Sequence, residues 1–173
     1  MTNRVAKIRP GTRAPTTHPY AVGELVLDAV PEDERLWVPM VEGVWFRPLM
    51  FNTTQGGWCH LIRVRKAGVV SRHRHPDPVH GLVLKGAWRY LEHDWVATEG
   101  TYIFEPPSET HTLVVDEDVP EMITFFQVTG SLHYVDEADK AVGFDDVFTR
   151  IDLARAHYEE VGLGADYVRN FVR

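Results

Sequence analysis

Between residues 36 and 129 the apolar positions come in short runs broken by turn residues. The runs predict strands at Val41–Phe51, Trp58–Arg65, His80–Lys85, Ala87–Glu92, Trp95–Thr98, Thr101–Glu105, Thr112–Val115 and Met122–Val128. Val, Ile, Phe, Tyr and Trp crowd these runs, while Gly56-Gly57, Gly68, Gly86, His93-Asp94, Gly100 and Pro106-Pro107 punctuate them. No helical period lies between the runs. That pattern predicts a β-sandwich or barrel rather than alternating β and α units.

The period changes near the C-terminus. Thr149-Arg150-Ile151-Asp152 has the form of a capping box, and Ile151, Ala154, Tyr158 and Val161 follow at helical spacing. Gly162 and Gly164 offer a stop, after which a second short helix can carry Tyr167, Val168 and Phe171. At the other end, residues 1–25 read as an N-terminal arm, because Pro10, Gly11, Pro15 and Pro19 disfavour helix and apolar residues are sparse. The expectation is an all-β barrel forming one domain, residues 26–173, with C-terminal helices from about residue 149.

Composition removes several function classes. Lys and Arg number 18 against 25 for Asp and Glu, a net charge of −7 that argues against nucleic-acid binding. No run approaches a membrane span of roughly 20 apolar residues, and the start lacks the apolar stretch of a secretory signal. A cytoplasmic setting is the expectation. Cys59 is the one cysteine, so neither an internal disulfide nor a multi-thiolate metal site is available.

Histidine changes the picture. Six of the nine (His60, His73, His75, His80, His93 and His111) fall between residues 60 and 111, under a third of the chain. In an extended strand, His73 and His75 project to the same face and can reach one point. Strand parity counted from Gly86 turns Arg89 and Leu91 one way and Trp88 and Tyr90 the other, where they either line a slot for an aromatic substrate or fill the core. Gln127, inside an apolar strand, either reaches a substrate or bonds backbone. The basic run Arg63, Arg65, Lys66 reads as a solvated strand edge.

Two segments resemble the paired motifs of the cupin superfamily. Residues 68–86, GVVSRHRHPDPVHGLVLKG, carry a glycine, HxH and a closing glycine. Residues 100–111, GTYIFEPPSETH, carry glycine, proline and a final histidine in the second motif's spacing. The resemblance implies a jelly-roll barrel with a metal on His73, His75 and His111. Counting back from Gly86 puts Val79 where the first motif usually has a glutamate, whereas counting on from His75 reaches His80, a candidate fourth ligand or supporting residue. His60 and His93 read as structural or surface residues. A three-imidazole face with no carboxylate leaves a divalent ion its full charge and open positions, and imidazole suits Fe, Zn, Cu and Ni alike.

A closer likeness runs from about residue 30 to the C-terminus. VPMVEGVWFRPL, the stretch from Gly56 through Val115 and DDVFTRIDLARAHYEEVGLGADYV are similar to the 2,4'-dihydroxyacetophenone dioxygenases. That resemblance implies a non-haem iron(II) dioxygenase, with zinc or nickel as alternative metals in purified protein. Such an enzyme cuts the bond between the carbonyl and hydroxymethyl carbons of an aryl α-hydroxyketone, using O2 and releasing 4-hydroxybenzoate and formate. It also places Glu105 near the metal, as proton acceptor, as support for a histidine ring, or simply at the rim. A related diketone as substrate, a non-catalytic metal- or ligand-binding cupin, and a zinc or nickel hydrolase or isomerase remain the other readings. Cupin barrels usually associate through strand faces, so a homodimer or homotetramer is expected, with Trp45, Phe46, Leu49 and Phe51 either at that face or in the core.

Overall fold

A computed structural model of the chain describes residue 18 and residues 21–173; most of the N-terminal arm expected at residues 1–25 lies outside the described residues. Twelve strands form two six-stranded antiparallel sheets. The first contains β1 (Val38–Val41), β2 (Val44–Asn52), β3 (Gly57–Val64), β5 (Val79–Lys85), β8 (Tyr102–Glu105) and β10 (Met122–Val128), in the order β1-β2-β3-β10-β5-β8. The second contains β4 (Gly68–Arg74), β6 (Ala87–Tyr90), β7 (Ala97–Thr98), β9 (Thr110–Val115), β11 (Leu132–Val135) and β12 (Ala141–Asp145), in the order β12-β11-β4-β9-β6-β7. The inner faces meet over a core that includes Phe46, Trp58, Ile62, Val83, Trp88 and Met122. The fold is a jelly roll, mostly strand, with a short 3-10 helix at Glu34–Leu36 before β1 and the remaining helices at the C-terminus.

Differences from the expected elements have local causes. The run Val41–Phe51 is cut by Gly43, whose φ of 73° turns the chain between β1 and β2. The strand expected at Trp95–Thr98 is reduced to Ala97–Thr98, and Ala87–Glu92 ends at Tyr90. β4 escapes the apolar pattern because Ser71, Arg72 and Arg74 interrupt it, and β12 because four of its five residues are exposed.

Gly86, which closes the first motif, holds φ at 72° in the β5–β6 turn, and a Cβ there would run into the carbonyl oxygen of Glu121. Gly86→Ala is expected to destabilise the protein by about 2 kcal/mol or more, because the turn must move or adopt strain. A urea midpoint unchanged from wild type would contradict this.

The C-terminal appendage is present and starts earlier than expected. Helix α1 spans Val147–Glu160 and is capped by Asp146, whose carboxylate accepts from the backbone N–H groups of Phe148 and Thr149. Thr149 is thus the third helical residue of the capping box, not its cap. α1 buries Val147, Arg150, Ala154 and Tyr158, and packs against β1, β2 and β12. A 3-10 helix at Ala165–Phe171 docks beside β2, with the Arg47 guanidinium 4.8 Å from the centre of the Phe171 ring.

The outer face of the first sheet divides one open expectation and corrects another. Phe46 and Phe51 are fully buried in the core, whereas Trp45 and Leu49 pack outside the barrel around Trp37, Leu61 and Ile123. Arg63 is not a solvated edge residue. It is 3% exposed, lies 4.2 Å and 4.9 Å from the Trp37 and Trp45 ring centres, and pairs with Glu34 at 2.7 Å.

Candidate metal centre

β4 and β9 lie side by side in the second sheet, and their register sets His73 directly opposite His111. A register shift between Val69 and Ser71 puts Ser71 and His73 on the inner face. His75, two residues beyond His73, follows onto the same side. Ring centres are 5.0 Å apart for His73 and His75 and 4.7 Å for His73 and His111. One ligand nitrogen from each of the three falls within 4.8 Å of the other two, and all three side chains are buried.

Burial is the first cause of depressed pKa in each ring. It holds His73 well below the usual imidazole range, with further repulsion from His111 and His75, and brings His75 to about 4 and His111 to about 3. All three are therefore neutral near pH 7, the form that binds a metal. The Ser71 hydroxyl lies 3.0 Å from His73 Nδ1, which leaves Nε2 for a metal. The Tyr90 ring stacks on His111 with centres 3.9 Å apart and planes 10° from parallel.

Glu105 completes the group. It is 4% exposed, and Oε1 accepts the Tyr90 hydroxyl at 2.6 Å. Oε2 stands 3.7 Å from His75 Nε2 and 3.6 Å from His111 Nε2. Neither Oε2 nor His111 Nε2 has a hydrogen-bond partner among the described residues. Two atoms bound about 2.1 Å from one ion lie about 3.0–3.4 Å apart, so the wider gaps to Oε2 set the carboxylate beside an ion held by the imidazoles rather than in its ligand set. A buried carboxylate oxygen and imidazole nitrogens converging without partners fit a metal ion better than they fit an empty core. Burial raises the Glu105 pKa to about 7, against the opposing hydrogen bond from Tyr90.

The position of this carboxylate explains the missing one. Val79 does face inward at the expected place, but its cross-strand partner on β8 is Glu105. A carboxylate absent from β5 is thus supplied one strand away.

His73, His75, Glu105 and Tyr90 border a cavity of about 130 Å³ closed elsewhere mainly by apolar side chains such as Val44, Ile62, Leu113 and Phe126, and the Tyr90 ring stacks on His111. A cavity of about this size in another protein holds one benzene ring.

A family model for the ChrR cupin-like domain matches residues 27–133. The chain is a cupin of this family. Among solved structures, an RmlC-like cupin from Ralstonia eutropha is 26% identical over 78% of this chain and 89% of its own, with a TM-score of 0.69. The fold is also similar to that of an acetylacetone dioxygenase from Acinetobacter johnsonii, at 16% identity, a TM-score of 0.67, and coverage of 84% of this chain and 99% of that one. Comparison with curated proteins finds no match.

Not every residue singled out by sequence reaches this cupin's cavity. Trp88 and Tyr90 both point inward, as parity predicts, but only Tyr90 borders the cavity; Trp88 is packed in the core. Gln127 is exposed on the other side of β10 from Phe126, beside Cys59 and Met50, and is placed away from the cavity. His80 also faces outward, with Nδ1 2.7 Å from the Tyr102 hydroxyl, so it is not a fourth ligand. His60 does border the cavity but lies outside the metal cluster, buried among Phe46, Trp58 and Phe126, with the Trp58 indole donating to its Nδ1 at 3.3 Å. His93 pairs with Glu109 at 3.0 Å and stacks on Trp95. Sequence reasoning passed over Ser71, Tyr134 and Arg150, all of which border the cavity. For Arg150 a signal exists: it falls in line with Val147, Ala154 and Tyr158 on the buried side of α1.

No helix among the described residues is long and apolar enough to cross a membrane.

Proposed function

We propose that this cupin is a non-haem iron(II) dioxygenase that cleaves an aryl α-hydroxyketone. The reaction converts 2,4'-dihydroxyacetophenone and O2 into 4-hydroxybenzoate and formate, and both oxygen atoms of O2 enter the products. The observation that carries this reading is one cavity, about the size of an aromatic ring, bordered by His73, His75 and a buried carboxylate, with a third neutral imidazole, His111, converging with the other two. An acetylacetone dioxygenase shares the fold.

His73, His75 and His111 would hold the metal, which when bound supplies Lewis acidity to the substrate oxygens and a site for O2. The chain's own residues do the rest. The apolar walls exclude water and seat the ring. Tyr90 fixes both the His111 plane, by stacking, and Glu105, by its hydrogen bond. Oε2 of Glu105 then takes a proton from the hydroxymethyl group. A carboxylate with its pKa raised toward 7 is suited to accept a proton and release it again.

Glu105→Gln keeps an acceptor for Tyr90 but cannot take the proton. Its kcat is expected to fall by about 10²–10⁴-fold, with metal content kept. An unchanged kcat in the metal-loaded variant would remove Glu105 from the reaction. The function itself is tested by anaerobic purification, metal analysis, and product analysis under 18O2. One labelled atom in each product is expected. Turnover without O2 would point to hydrolase or isomerase chemistry, and binding without turnover to a non-catalytic cupin.

A further inference from the structure

The cavity contains a second polar group. Arg150 of α1 is 1% exposed and borders the same cavity as His73, His75 and Glu105. Its Nη2 donates to Asp145 Oδ2 at 2.9 Å, and the same oxygen accepts the Tyr134 hydroxyl at 2.6 Å. Its Nη1 contacts the sulfur of Met40 at 3.1 Å, a weak acceptor, and the guanidinium also bonds the Tyr134 hydroxyl. Its Nε has no partner among the described residues. The rest of the guanidinium lies against aromatic faces, 5.0 Å from the Phe46 ring centre and 5.8 Å from that of Trp58.

A guanidinium carries five N–H donors in a planar fork. Where Arg150 serves only to pin α1 to the barrel, those donors should be met by protein oxygens, since a buried unmet donor on a charged group is costly. Here one carboxylate, one hydroxyl and a thioether meet part of the fork, and Nε is left without a partner among the described residues. The remainder is buried, cationic and bordered by the cavity. The acceptor that such a group suits is an oxygen brought in by a ligand.

We infer that Arg150 is a specificity residue that receives an oxygen carried on the substrate's ring. The cavity then selects ring-hydroxylated aryl ketones over unsubstituted ones. The aryl hydroxyketone as substrate rests on the function proposed above; the recognition of a ring oxygen rests on Arg150 and its partners. The triad and Glu105 hold one part of the ligand, and Arg150, steadied by Asp145 and Tyr134, holds another. An extra hydrogen bond of this kind fixes the ring and keeps apolar aromatic compounds from competing.

The test uses the purified protein and two ketones that lack the cleavable hydroxymethyl group. 4'-Hydroxyacetophenone is expected to bind roughly tenfold or more tightly than acetophenone, the worth of one hydrogen bond to a charged group. Bound beside the arginine cation, the phenol should also show phenolate absorption at a pH where the free compound does not. Arg150→Met is expected to abolish both the preference and the spectral shift. If that variant does not fold, the two wild-type measurements decide alone. Equal affinity for the two ketones, with no spectral shift, overturns the inference. Its failure is distinguishable from failure of the proposed reaction. Ring-oxygen preference without O2-dependent cleavage leaves Arg150 standing and removes the dioxygenase. Equal kcat/KM for 2-hydroxyacetophenone and its 4'-hydroxylated form removes Arg150 and leaves the dioxygenase.

Discussion

His111→Ala is expected to purify with almost no bound metal and no O2-dependent activity, while retaining the barrel's circular dichroism. The ring contributes one of three neutral nitrogen donors, and among the described residues no further histidine or cysteine joins that cluster. His60, the other deeply buried imidazole, has its Nδ1 engaged by Trp58 and lies in an aromatic surround. Two imidazoles and Glu105 cannot replace a facial set of three. Loss of a residue that merely supports a ligand costs about 10–100-fold in metal affinity, so loss of a ligand should cost at least that. His80→Ala and His93→Ala should keep their metal, because both rings are engaged elsewhere. Elemental analysis after anaerobic purification reads all three variants. A His111→Ala protein with a full complement of metal would refute the ligand assignment.

The second large effect is acid sensitivity of the metal-free protein. Four buried histidines have pKa values below the usual 6.5: His60 and His73 well below it, His75 at about 4 and His111 at about 3, burial being the first cause in every case. The unfolded chain therefore binds more protons than the folded one below pH 6.5. Stability contributed by these rings is complete above that pH and is lost as pH falls from 6.5 toward the folded values. Each ring contributes a slope of up to about 1.4 kcal/mol per pH unit in that window. Glu105 opposes this. Its folded pKa of about 7 lies above the ordinary 4.5, so between those values the folded state takes up a proton that the unfolded state does not. With four rings acting one way and one carboxylate the other, moving from pH 7.5 to 5.5 is expected to cost about 3–4 kcal/mol. That is a large share of a typical total stability of about 5–15 kcal/mol. Urea midpoints of chelator-treated protein at the two pH values measure it. Equal midpoints would show that these rings are protonated, or exposed, in the folded state.

Much of the site could be read from the chain because cupin motifs are written along single strands. His73 and His75 share a strand face, and His111 ends a second motif, so the resemblance to the paired motifs implies three positions. The same parity turns Trp88 and Tyr90 inward. What spacing along one strand does not reveal is registry between strands. Glu105 is near the triad because β8 pairs with β5 so that it faces Val79, a relation between residues 26 apart in sequence. Arg150 was less legible still: its helix lies far along the chain, and an arginine on a helix reads as a solvent-facing residue until its burial is seen. Gln127 failed for a simple reason. Alternation along β10 turns Phe126 to the interior, which sends Gln127 to the outside. In the barrel itself, apolar strands were legible, whereas β4, β11 and β12 were not. Ser71, Arg72 and Arg74 break the pattern in β4, while β11 and β12 are only four and five residues long, too short for alternation to stand out.

The transfer of the carboxylate from β5 to β8 has a dynamic side. β4 and β9 are each hydrogen-bonded to neighbours on both flanks, while β8 is the last strand of its sheet. Amide exchange in β4 and β9 requires opening of the surrounding sheet, whereas β8 can fray alone. Faster amide exchange is therefore expected in β8, which carries Glu105, than in β4 and β9, which carry His73 and His111.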